Sequence, residues 1–307
     1  MTKLLIDTDI GGDIDDAFAL CLALGSPELE ILGVTTVFQC PVQRAQIAKA
    51  LLAAAGRGDI PVVAGEAKPL GQTELYGRPI DFETKPLSYG AEFEKTEIDG
   101  TDGVDFLIRT LESQSEPVTV VTIGALTNLA AVLTKRPDLK NRIEKFCVMG
   151  GAYDRNYAEY NFACDPEAAR IVLRSGISCD LVGTDVTFRC MMGERQLARL
   201  AASSSPAIRL LLSLNKSWGH NVYLHDPLAL YNAIDSQYLT FQNREVEVET
   251  KGKLTRGVAV TLSDWNWQLP ANDKLRVAVD VRAEEFVEEC TRRILRLGES
   301  DAAECAV

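Results

Sequence analysis

From the N-terminus to Gly56, hydrophobic positions alternate between strand period and helix period. Lys3–Asp7 is a short apolar run, Asp15–Leu24 repeats apolar residues at helical spacing, Ile31–Val37 is β-branched, and Val42–Ala55 is amphipathic until Gly56 stops it. After a stretch rich in turn residues, Gly65–Gly103, the alternation resumes. Helix Val104–Glu112, strand Val118–Ile123, helix Thr127–Leu133, strand Lys145–Met149, helix Pro166–Ser175 and strand Asp180–Val182 follow in turn. Such alternation predicts right-handed crossovers and an α/β fold, an open, mostly parallel, Rossmann-like sheet with helices on both faces.

Further on, the periodicity predicts helices over Glu194–Ala202 and Ala207–Trp218, and another opening at Asp226-Pro227. Strands over Glu245–Glu249, Gly257–Leu262 and Arg276–Val281 precede a last helix, Ala283–Leu297. No repeat, low-complexity run or break in composition divides the chain. It reads as one domain over 1–307, with 66–101 a mobile insertion and Glu299–Val307 a frayed tail.

Composition narrows the function classes. The 307 residues carry 32 Lys+Arg against 44 Asp+Glu, a net charge of −12, which argues against nucleic acid as partner. No window approaches the roughly 18 apolar residues of a membrane span, and Met1-Thr2-Lys3 leads into a strand without a signal-peptide layout. A cytoplasmic protein without a membrane partner is expected. Eight cysteines contain no C-x-x-C pair, so buried thiols are expected rather than a zinc ribbon or disulfide scaffold.

Open parallel sheets bind ligands beyond the carboxyl ends of their strands. There the segment Asp7-Thr8-Asp9-Ile10-Gly11-Gly12-Asp13-Ile14-Asp15-Asp16 turns through two glycines into a helix and concentrates five carboxylates. Like charges at this density raise one another's pKa unless a cation sits among them. Oxygen donors without a paired His or Cys suit Ca²⁺ or Mg²⁺ rather than zinc. An EF-hand does not fit, because its third ligand place would fall on Gly11. A haloacid-dehalogenase-type phosphatase also opens on Asp-x-Asp, with Asp7 as nucleophile, and Ile10-Gly11-Gly12 matches it poorly.

The strand ending D-T-D-x-G, the D-D-A-x-A-L that follows it, and Val34-Thr35-Thr36-Val37 resemble the signature of the inosine-uridine preferring nucleoside hydrolases. Further matches run along nearly the whole chain: Ile60-Pro61-Val62, Gly124–Ala130, Met149-Gly150-Gly151, Ala158–Asn161 with Asp165–Ala169, His225-Asp226-Pro227 and Val277–Asp280. The resemblance implies hydrolysis of ribonucleosides to free base and ribose, with Ca²⁺ as cofactor, and a homodimer or homotetramer. It implies that Asp9 is both metal ligand and general base towards water, that Asp16 and Asp226 are ligands, and that Ile123 contributes its carbonyl. Asp15, Glu159 and Asn161 would grip the ribose hydroxyls, with Asn156 and Met149 lining the pocket and His225 protonating the departing base.

Three features depart from the family pattern. Two extra residues separate Asp9 from Asp15-Asp16, leaving Asp13 without a counterpart. Cys40 stands where many members place a ribose-binding Asn. The 66–101 insertion lacks the His or Trp that touches the base in well-studied members, and offers Tyr76, Tyr89 and Phe93. Trp218, Trp265 and Trp267 are stacking candidates whose commoner fate is core packing. Asp165 reads as a helix cap, His220 as structural or on the pocket rim, and Asn128 as a partner for loop backbone. Two alternatives remain beside nucleoside hydrolysis: a ribose-binding protein with weak catalysis, and a hydrolase acting on a modified aglycone.

Overall fold

The computed structural model describes residues 1–262 and 272–299. Trp265, Trp267, Cys305 and the rest of the tail beyond Glu299 lie outside the described residues. The central sheet has eight strands: β1 (Thr2–Thr8), β2 (Leu29–Thr36), β3 (Val62–Ala64), β4 (Val118–Ile123), β5 (Ile143–Met149), β6 (Ser178–Val182), β7 (Leu239–Asn243) and β8 (Leu275–Val281). Their order is β7-β8-β6-β5-β4-β1-β2-β3. All neighbours are parallel except β7, which runs antiparallel to β8.

β1 is central, and its side chains alternate between two packed layers. Leu4 and Ile6 join one core cluster, while Leu5 joins the other. The first layer holds α1 (Asp15–Leu24) and α2 (Pro41–Ala54); the second holds α3 (Gly103–Ser113) and α4 (Thr127–Lys135). From β1 the chain builds outward through β2 to β3, then returns to place β4 on the other flank. The strand order therefore reverses between β1 and β4, and the crevice beyond their carboxyl ends is the place where such sheets bind ligands.

The remaining helices are α5 (Tyr160–Cys164), α6 (Pro166–Leu173), α7 (Thr184–Thr187), α8 (Glu194–Ala201), α9 (Pro206–Trp218), α10 (His225–Tyr231) and α11 (Ala283–Leu295). Most expected elements are found within two residues of their predicted bounds. β3 and the exposed edge strand β7 were not predicted: one is three residues long, and the other alternates too weakly to stand out. The strands expected near Glu245–Glu249 and Gly257–Leu262 form as Val246–Val248 and Ala259–Thr261. They pair with each other as a ribbon outside the central sheet. No described helix is long and apolar enough to cross a membrane. The seven described cysteines are buried free thiols.

Candidate active site

Past Thr8 the chain turns through Gly11, at φ +100°, into α1. Glycine is required there twice over, since an added Cβ would lie 2.7 Å from Ile47 Cδ1 and 2.9 Å from Pro86 Cβ. The turn and the start of α1 bring Asp9, Asp13, Asp15 and Asp16 to the mouth of the crevice, where Ile123 ends β4. A cavity of about 440 Å³ opens above them, with Met149, Glu159, Asn161, His225 and Asp226 also in its wall.

Carboxylate oxygens of Asp15, Asp16 and Asp226 lie within 4.8 Å of one another, and all three residues are buried. The Asp226 amide donates to Asp15 Oδ2 at 3.2 Å, and the Thr8 hydroxyl donates to Asp16 Oδ1. None of the three acids is used in capping: the N-caps of α1 and α10 are Ile14 and Leu224, without side-chain cap bonds. Burial first, and neighbouring carboxylates second, push all three acids well above the usual carboxylate range. Burial raises Asp9 too, against the opposing charge of Arg44. A bound cation would favour the ionised form of such acids, and this donor set of hard oxygens fits a divalent ion such as Ca²⁺ or Mg²⁺.

Asp7 does not join the cluster. It accepts from Thr35 Oγ1 (2.6 Å) and Asn128 Nδ2 (2.7 Å), while its second oxygen is buried without a partner. Burial raises its pKa to about 7. It is absent from the cavity wall, which removes the nucleophile that the phosphatase reading requires. Asn128 bonds loop backbone as expected, through Thr36 O and the Glu66 amide. Asp165 caps α6 through the Ala168 amide.

Also in the cavity wall, Glu159 caps α5 and accepts from the amides of Gly151, Asn161 and Phe162 at 2.8–3.2 Å. Burial lifts its pKa to about 7 despite those bonds. Asn161 donates to Met149 O at 3.0 Å. His225 pairs through Nδ1 with Thr187 Oγ1 at 2.6 Å and packs edge-on against Phe188, 4.9 Å between ring centroids. Burial lowers its pKa to about 4, so the ring is neutral at neutral pH.

Two residues that the sequence assigns to the pocket, Cys40 and Asn156, are not in the cavity wall. Cys40 does not face the cavity: its Sγ donates to Thr84 O at 2.9 Å and so ties the 66–101 segment to the start of α2. Asn156 is exposed and outside the cavity wall. Of the insertion aromatics, Tyr76 reaches the cavity, whereas Phe93 is buried beside Tyr89. Trp218 lines the cavity, and His220 lies beside it on an adjoining opening. Tyr157, Tyr160, Thr184 and Phe188 were missed. They come from loops and short helices where no periodicity marks a face.

The inosine-uridine preferring nucleoside hydrolase family model matches residues 4–288. The chain belongs to that family. Its members hydrolyse N-glycosidic bonds, and this nucleoside hydrolase has relatives of differing base preference. It is 32% identical over 307 residues to the pyrimidine-specific ribonucleoside hydrolase RihA of Salmonella gallinarum, covering 95% of this chain and 97% of that one. Among solved structures, a plant nucleoside hydrolase, the PpNRh1 enzyme, matches with TM-score 0.81 at 28% identity, over 96% of this chain and 99% of its own. A purine-preferring ribonucleoside hydrolase from Gardnerella vaginalis matches with TM-score 0.80 at 26% identity, over 97% and 99%.

Proposed function

We propose that this chain hydrolyses the N-glycosidic bond of ribonucleosides with a Ca²⁺ ion held by Asp16 and Asp226, together with Asp9 and the Ile123 carbonyl. The observation that carries the reading is the buried acid cluster sharing one cavity with Glu159 and Asn161. Asp15 lies close enough to Asp16 and Asp226 to serve the ion as well as a ribose hydroxyl. When bound, the cation supplies Lewis acidity and positive charge for orienting the sugar diol and a water.

The protein's own groups do the rest. Asp9 takes a proton from the attacking water as its oxygen bonds to C1′. The C1′–N bond breaks with its electron pair passing to the base, which then takes up a proton. Carboxylates around the sugar stabilise its oxocarbenium character. His225, neutral and paired through Nδ1 with the Thr187 hydroxyl, lines the same cavity and, as the tautomer with its proton on Nε2, would meet the base as a hydrogen-bond donor.

The test is ribose release from a panel of purine and pyrimidine ribonucleosides, with Ca²⁺ and after chelation. Calcium-restored release ranks the bases, and Asp9→Asn lowers kcat by roughly a hundredfold or more in a folded protein. Near-parental turnover of Asp9→Asn would overturn its role as base. Calcium-dependent nucleoside binding with no ribose released would instead favour the binding protein.

A further inference from the structure

Arg44 is a buried cation beside the acidic turn. It sits in the first turns of α2 and is 3% exposed, yet among the described residues its hydrogen-bond partners include no acid. Nε donates to Phe38 O at 3.0 Å, Nη1 to Ile10 O at 3.1 Å, and Nη2 to Gln39 Oε1 at 3.5 Å. One guanidinium therefore joins the loop after β1, directly beside Asp9, to the loop after β2.

The second loop is unusual in its own right. Phe38 and Gln39 are consecutive non-glycine residues in the left-handed region, at φ 70° and 59°. Backbone of that kind persists only where its surroundings over-determine it. The amides are held by Glu66 O and Ala67 O, each at 2.8 Å, and Arg44 holds the Phe38 carbonyl and the Gln39 side chain. A buried guanidinium without an adjacent acid is costly, and here two backbone carbonyls and one side-chain amide oxygen receive its N–H groups.

We propose that Arg44 is a positioning residue: its fork fixes the Ile10 carbonyl and the Phe38–Gln39 corner, and so holds the backbone that presents Asp9 to the cavity. The kinetic half of this inference rests on the hydrolase reading; the structural half does not.

Arg44→Lys tests it, because lysine keeps the charge and loses the planar fork. In that variant the Phe38 and Gln39 amides are expected to exchange hydrogen roughly tenfold faster, with β1 and β4 amides unchanged. In the ribose-release assay, kcat is expected to fall roughly tenfold while KM moves less than about threefold. If Arg44→Lys does not fold, Gln39→Ala removes one acceptor and is expected to shift both readouts the same way by a smaller factor. Unchanged exchange overturns the clamp, whatever the enzyme's activity. Faster exchange with parental kcat leaves a structural clamp and overturns the positioning role. A parent protein that releases no ribose overturns the hydrolase reading and the positioning role with it, and the clamp is then decided by exchange.

Discussion

At the scale of single residues, the same side chain serves opposite purposes according to where its oxygen lands. Asp7 and Asp9 are two residues apart, but Asp7 is a buried acid held by Thr35 and Asn128, and Asp9 faces the cavity. Asp7 titrates near 7 rather than 3.8, so the folded state holds its proton after the unfolded chain has released it. Its stabilising contribution is complete below pH 3.8 and is lost as pH rises through 7, amounting to at most about 4 kcal/mol. Asp7→Asn mimics the protonated acid. In chelator, urea unfolding is therefore expected to find the variant close to the parent at pH 4 and more stable at pH 8. A parent more stable than the variant at pH 8 would contradict the raised pKa of Asp7. Asp7→Asn is also expected to keep ribose release within about threefold, as a residue outside the cavity should.

At the scale of elements, strand ends and helix starts place the acids, while a long excursion closes the cavity's side. The 66–101 segment is fastened by Cys40 Sγ to Thr84 O, by Pro86 against Gly11, and by Tyr76 OH to Ala158 O at 3.0 Å. Cys40 thus fastens the segment to the start of α2. Cys40→Ala is expected to lower stability by about 1 kcal/mol, read by denaturant midpoint, while KM for nucleoside changes less than about twofold. A large rise in KM with unchanged stability would restore a substrate contact. The Phe38–Gln39 corner costs about 1–3 kcal/mol per left-handed residue, and it lies beside the acidic turn, where strain of this kind tends to be kept.

At the scale of the whole molecule, α1 and α10 come from distant parts of the chain and meet at Asp15 and Asp226. A cation bound there joins them and links binding to folding. Ca²⁺ at about a hundred times its Kd is expected to add about 2.7 kcal/mol, seen as a rise in Tm over the chelated protein. Asp226→Asn is expected to abolish most of that rise. An equal rise in the variant would place the ion elsewhere.

The alternation of strands and helices, the parallel sheet and the acidic turn at a strand end are all legible in the linear chain. Those follow from local periodicity and from the few residue types that suit a sharp turn and a hard cation. The sequence also supplied the motifs of the family, including Glu159, Asn161 and His225-Asp226, because short spacings survive in the linear chain. Which of these groups converge is set by the folded chain. It drew Asp15 into the triad with Asp16 and Asp226, withdrew Asp7 and Cys40 from the cavity, left Asn156 exposed, and set Arg44 behind Asp9. The reason is physical: side-chain direction past a strand end, and the burial that shifts a carboxyl's acidity, depend on neighbours that lie far away in sequence.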